Sequence, residues 1–432
     1  MSEAGASGSR VSLPTETVFA LQMPPVLFGL GATNEIGREL SSLGVRRALI
    51  VTDAALEATG LPARIAADLG AIDVAAKIWS GAMTEPTLAA VEAAVEELSG
   101  AEVDAYVAVG GGSVIDTAKA IDLCLTYGGP VQRFMAAPFG AGEPIPGPLR
   151  PLVGVPTTAG TGSEFTPNCI LDLEDMHVKA AIADDRIRPH LAVIDPANAL
   201  TMPAAVTASS GFDVVVQALE AFTSRPYDRR PRIDPAGPRP SYSGANPVAD
   251  AACERALELA GRFLRRAVHN GADLEARIGM SQAALFSRIG TAGVHLPHAL
   301  GYAISGHVRS YCPRNFALTR PLVPHGQSVA VAAPAAFAFT YPALPDRHDR
   351  AAELLGAIPS GSTAGTGREG LPAFLRDLIA ECGGPNTISE LGYGENDIDV
   401  LAAAAFSQKR ILANSPLHVD ETDLAGVLRC SL

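Results

Sequence analysis

The chain has 432 residues, 47% hydrophobic and 18% charged, with a formal net charge of -13 and a pI near 5.2. That acidic balance excludes nucleic acid and anionic membrane as partners, since both recruit clustered Lys and Arg, and a small-molecule substrate is what remains. No apolar run reaches the roughly 20 residues of a membrane helix and no apolar h-region follows a basic start, so a cytoplasmic protein is expected.

The length exceeds what one hydrophobic core serves, which predicts two domains. Residues 1–12 are small and polar and read as a flexible tail. From 13 to 203, short β-rich runs alternate with amphipathic stretches: RALIVTD, a helix over Leu61 to Leu69, a strand near DVAAKIW, a helix over Thr87 to Leu98, then DAYVAVGGGSVIDTAKAI. This rhythm predicts an α/β nucleotide-binding domain. From 204 to 432 the texture is apolar at helical spacing, as in SSGFDVVVQALEAFTS, ADAACERALELAGRFLRRAVHN and the long run from Asp273 to Ser305, which predicts an all-α domain. Between them Arg225 to Pro247 is rich in Pro and Arg and reads as irregular. The six cysteines are far apart with no C-x-x-C pair, so they are expected to be reduced and buried, without a thiolate zinc site.

Gly110, Gly111, Gly112 and Ser113 join the strand DAYVAV to a helix, where backbone N–H groups and the helix N-terminus favour a pyrophosphate. The turn lacks G-x-G-x-x-G spacing, so alone it reads equally as a plain strand-to-helix turn. Asp53 ends RALIVTD, where a carboxylate bonds an adenosine ribose or merely finishes a turn. A second polar loop, VPTTAGTGSEFTP, supplies Thr157, Thr158 and Thr161.

The strings FGLG at Phe28, TDAAL at Thr52, GGGSVIDTAKAI at Gly110 and PTTAGTGSE at Pro156 occur in one order. That order resembles the iron-containing alcohol dehydrogenases, over about Val26 to His325. EPT at Glu85, SGFD at Ser210, SGANP at Ser243 and PLVPHG at Pro321 look closest to the hydroxyacid-oxoacid transhydrogenase branch of that family. The resemblance implies a dehydroquinate synthase-like architecture with the active site in the cleft between domains. It also implies an NAD(H) role for Asp53, Gly110 to Ser113, Asp116, Thr157, Thr158, Thr161 and Lys179, and a homodimer.

Family members bind one divalent ion through an Asp and a His spaced i, i+4 on a helix and two later histidines. Here Asp213 is in place but Gln217 occupies the histidine position, and a neutral amide oxygen is the poorer ligand for iron or zinc. His298 and His325 match the later ligands, and Tyr302, four residues after His298, stands where many members carry a proton-transfer histidine. His298, His325 and Tyr302 are therefore the catalytic candidates, with Asp213, Gln217, His298 and His325 holding a weakly bound iron or zinc. His295 is an alternative fourth ligand if it shares a helical face with His298. A bland reading also stands, in which Ser210 and Asp213 form a capping-box-like helix start. Arg309, Arg314 and Arg320 are candidate clamps for a substrate carboxylate. The expected reaction is hydride transfer between nicotinamide and a small alcohol or hydroxy acid. An NAD-using lyase or cyclase and a catalytically silent NAD-binding paralogue are the alternatives.

Overall fold

In the computed structural model, residues 15–432 are described except 177, 235–238, 241, 290–291, 314–315, 317 and 319. The expected tail and Arg314 lie outside the described residues. Eight strands precede residue 195: β1 (Val26–Phe28), β2 (Arg47–Val51), β3 (Ala75–Trp79), β4 (Ala105–Gly110), β5 (Leu152–Pro156), β6 (Asn168–Leu173), β7 (Val178–Ala183) and β8 (Leu191–Ile194). Six form a parallel sheet in the order β1-β8-β5-β4-β2-β3, while β6 and β7 pair as an antiparallel hairpin.

The central strands read as unbroken apolar runs because both faces of the sheet are covered. Ala48 and Ile50 of β2 and Ala105, Val107 and Val109 of β4 pack on one side with Ile65 and Leu69 of the helix Leu61–Gly70. Their alternates Leu49, Val51, Tyr106 and Ala108 pack on the other with Ile115, Ala118 and Ile121 of the helix Gly112–Tyr127.

After residue 204 the described elements are helical. At the centre runs Ala204–Thr223, buried on all sides from Gly211 to Thr223, as expected of a helix that is apolar nearly all round. It packs against Pro247–His269 and His325–Val331, and Leu274–Arg288 completes the layer. This helix starts directly after Pro203, so Asp213 lies in its third turn. The Ser210 hydroxyl bonds the Val206 carbonyl at 2.9 Å, which removes the capping reading.

The run from Asp273 to Ser305 divides into Leu274–Arg288 and Leu296–Gly306, the second opening with Pro297 in its first turn. Two of the cysteines expected to be buried, Cys312 and Cys430, are exposed. No helix of the described residues is long and apolar enough to cross a membrane.

Candidate active site

Three adjacent parallel strands deliver the predicted nucleotide-binding residues to one edge, since β4 pairs with both β2 and β5 in register. Asp53 follows β2, Gly110 ends β4 with Gly111 to Ser113 after it, and Thr157 and Thr158 follow β5. Ligands of open α/β sheets bind at this carboxyl edge. Asp53 also caps the short helix Ala54–Glu57, its Oδ1 accepting the Leu56 N–H at 2.9 Å.

The helix Gly112–Tyr127 begins at Gly111 with no side chain capping it, so its first N–H groups face outward, ready for an anion. A Cβ on Gly112 would come within 2.3 Å of Thr161 Oγ1, so only glycine lets the two loops close together here. Asp116 is buried and engaged, accepting from the Ile170 N–H at 3.0 Å and pairing with Lys119 at 3.2 Å. Lys179, far from a solvated surface lysine, is buried and paired with Glu85 at 2.5 Å.

A cavity of about 120 Å³ lies against this edge. From the strand side Gly112, Ser113, Asp116, Thr161 and Lys179 line it, and from the helical side His298, Tyr302 and His325. At the helical end His298 Nε2 lies 3.3 Å and His325 Nε2 3.8 Å from Asp213 Oδ1. Ligand atoms of these three residues all lie within 4.8 Å of one another. Both Asp213 oxygens are buried without a hydrogen-bond donor among the described residues, an arrangement that normally costs stability and that a cation relieves.

Glu220, fully buried one turn beyond Gln217, holds the other face of this group. Its Oε2 meets His298 Nδ1, and its Oε1 accepts the N–H groups of His295 and His298 at 2.8 and 3.1 Å. A carboxylate behind a ligating imidazole fixes the tautomer that leaves Nε2 free for a metal. Burial disfavours charge on His298, but Glu220 and Asp213 outweigh it and hold the imidazole up at about 10. Burial pushes His325 down to about 3 against the pull of Asp213. Tyr302 is pushed well above the ordinary phenol value by burial, so its hydroxyl keeps its proton.

Gln217 is buried in the same helix, its Nε2 donating to Ser287 Oγ at 2.6 Å while Oε1 finds no donor among the described residues. The proposed helical stacking of His295 on His298 is corrected. His295 is the N-cap residue of Leu296–Gly306, with φ -140° and ψ -115°, and its Nε2 turns away to Thr223 Oγ1 at 3.2 Å.

A family model described as "Iron-containing alcohol dehydrogenase" matches residues 24–196, and one described as "Fe-containing alcohol dehydrogenase family, C-terminal" matches residues 241–432. The chain belongs to the iron-containing alcohol dehydrogenase family. It is 39% identical to the mitochondrial hydroxyacid-oxoacid transhydrogenase of Xenopus tropicalis, over 97% of this chain and 91% of that protein. Against the Homo sapiens protein of the same name the identity is 38%, over 97% and 90%. Among solved structures, an alcohol dehydrogenase from Oenococcus oeni superposes with a TM-score of 0.83 at 26% identity, covering 96% of this chain and 100% of that one. A 1,3-propanediol oxidoreductase gives 0.83 at 28%, with the same coverage. The chain is thus an oxidoreductase of the alcohol and hydroxy-acid class with the expected α/β plus helical architecture.

As a member of the iron-containing alcohol dehydrogenases, the chain departs from expectation in two further ways. Its relatives are named mitochondrial, which overturns the cytoplasmic location. The arginine clamp is also misplaced. Arg309 is exposed and paired with Asp397, and Arg320 is spent on Asp172 at 3.0 Å and Glu174 at 2.8 Å. Sequence reasoning missed Glu220, Tyr242, Arg288 and Arg410. Of these only Glu220 left a trace, as a carboxylate three residues after Gln217 on the same face of an apolar helix.

Proposed function

We propose that the chain moves hydride between a small hydroxy acid and an oxo acid, using NAD(H) at the strand edge and a divalent iron or zinc at Asp213, His298 and His325. The observation that carries this reading is the single cavity joining the uncapped N-terminus of Gly112–Tyr127 to the Asp213, His298 and His325 group. The nicotinamide would supply the hydride carrier, and the metal a Lewis acid toward the substrate oxygen.

Gly111, Gly112 and Ser113 hold the pyrophosphate through their backbone, with Thr157, Thr158 and Thr161 closing the opposite side and Asp53 taking the adenosine ribose. Ser113 Oγ also accepts the Glu85 N–H at 3.0 Å, which sets the Glu85 and Lys179 pair beside the cofactor. At the reacting end the Tyr302 hydroxyl, which keeps its proton, donates a hydrogen bond to the substrate oxygen and orients it. Glu220 keeps His298 turned toward Asp213. Gln217 Oε1, which has no donor among the described residues, would offer such an ion a weaker ligand than an imidazole. Support for the hydroxy-acid class comes from the two transhydrogenases at 38–39% identity.

The test is spectroscopic. Purified protein supplied with NAD and zinc is mixed with short hydroxy acids of graded length, with and without an oxo acid. Reduced cofactor that forms with the hydroxy acid and is bleached by the oxo acid supports the reading. Absence of any cofactor reduction across the series, in protein shown to bind NAD, rejects it.

A further inference from the structure

The cavity contains two cationic side chains that the proposed chemistry does not use. Arg288, from the last turn of Leu274–Arg288, is only 15% exposed at its side chain, and its Nη2 lies 3.9 Å from Asp213 Oδ2. The same Nη2 donates to the Thr161 carbonyl, while Nε is buried without an acceptor among the described residues. Arg410 lines the cavity and is exposed, which puts it at the opening. No described carboxylate lies within ion-pair distance of Arg410, whereas Lys179 is spent on Glu85. The acidic residues of the cavity wall are likewise taken: Glu85 by Lys179, Asp116 by Lys119 and Asp172 by Arg320.

Tyr242 joins the two arginines. The Arg410 guanidinium sits 5.0 Å from the centre of its ring, within cation–π range. Burial raises the Tyr242 phenol, yet Arg410 and Arg288 together hold it below its ordinary value, so both positive fields fall on one spot. The wall is built for these side chains. A Cβ on Gly162, where φ is +66°, would come within 2.4 Å of Arg288 Nε, and one on Gly293, where φ is +97°, within 2.4 Å of the Tyr242 ring.

We propose that Arg410 and Arg288, with Tyr242 between them, form the subsite that reads a substrate carboxylate carried away from the reacting carbon. The substrate is then a small organic acid whose carbinol or carbonyl lies at His298, His325 and Tyr302 while its carboxylate faces the arginines. The Arg410 guanidinium, which no described carboxylate occupies, matches a carboxylate in geometry as well as charge, which gives discrimination against neutral alcohols of equal length. This inference deepens the hydroxy-acid reading and rests on it.

The probe is succinate, which has carboxylates but no carbinol, aldehyde or ketone to exchange hydride with nicotinamide. Calorimetric titration of the NAD-loaded protein should show succinate binding that weakens about tenfold or more in Arg410→Met, with Arg410→Lys between the two. Arg288→Met should weaken it as well, and Arg410→Gln checks that the loss follows charge rather than folding. In turnover, the ratio of kcat/KM for a hydroxy acid to that for the primary alcohol of equal length should fall by a similar factor in Arg410→Met. Succinate that does not bind the wild type, or binds Arg410→Met and Arg288→Met as tightly, overturns the subsite. A wild type that oxidises no hydroxy acid yet loses succinate with Arg410→Met keeps the subsite and removes the proposed reaction.

Discussion

Glu220 grips His298 twice, through the ring Nδ1 with one oxygen and through the backbone N–H at 3.1 Å with the other. The carboxylate therefore fixes both where the Leu296–Gly306 helix starts and which nitrogen of its histidine faces Asp213. Replacing it by an amide of the same shape keeps an acceptor for the backbone but removes the charge that makes Nε2 a strong ligand. Glu220→Gln should lower zinc affinity about 10-fold to 100-fold, the usual effect of losing such a partner. Competition with a chromogenic chelator measures it, and unchanged affinity would show that His298 needs no carboxylate behind it.

Asp53 combines two tasks that one substitution can separate. Its Oδ1 caps Ala54–Glu57, so Asp53→Gly would mix a lost cap with a lost charge. Asp53→Asn keeps the capping acceptor and removes the charge that opposes a 2′-phosphate. NAD should be preferred over NADP in the wild type, and the preference should shrink about tenfold in Asp53→Asn with little change in melting temperature. Fluorescence titration with both reduced cofactors decides it: a wild type that binds them equally rejects the role.

The sheet was legible because its burial is two-sided. A run such as RALIV has one reading when all of its neighbours are apolar, and β2 occupies Arg47–Val51 inside the predicted RALIVTD. The strand-edge residues were legible for the same reason, since each follows such a run. The resemblance pointed to Asp213, His298 and His325, which the fold brings within ligand distance of each other. His295 was misread because a helical pattern says nothing of where the helix begins, and Pro297 starts it after His295. Arg288 and Arg410 were hidden for a different reason. They are 122 positions apart, one at the end of Leu274–Arg288 and the other within the short helix Lys409–Leu412, and only tertiary packing on Gly162 and Tyr242 turns them toward one cavity.

Glu164 supplies a stability test away from the metal group. Burial raises its carboxyl from 4.5 to about 7, against opposing backbone bonding and the pull of Arg288 and Lys119. With the folded value above the unfolded one, the folded state binds the proton more tightly. The resulting stability is present in full below the unfolded value and is lost as pH rises through the folded value. That loss amounts to about 3 kcal/mol between roughly pH 5 and 8. Glu164→Gln should flatten this part of the stability curve and leave the variant the more stable form at pH 8. Urea unfolding at both ends of the window gives the answer, and parallel curves for the two proteins would place the titration elsewhere.

Gln217 is where this chain parts from the ligand pattern its family resemblance implies. Its amide is locked by donation to Ser287 Oγ at 2.6 Å, and Ser287 in turn donates to the Ala284 carbonyl at 2.8 Å. The lock settles the direction of the NH2 group and leaves the carbonyl oxygen as the only part of the side chain free to meet an ion. That oxygen is neutral and donates less charge than an imidazole, so in the proposed site Asp213, His298 and His325 would carry most of the affinity for an ion. The protein should purify with less than one metal per chain and give it up readily to chelator. Gln217→His should raise metal content toward one per chain and tighten zinc about tenfold or more. Ser287→Ala serves as the control, because it releases the amide without adding a better ligand and should leave metal content low. Plasma mass spectrometry of the three proteins reads the result directly. A wild type that already holds one ion per chain against chelator would mean that the amide oxygen is an adequate ligand in this buried setting.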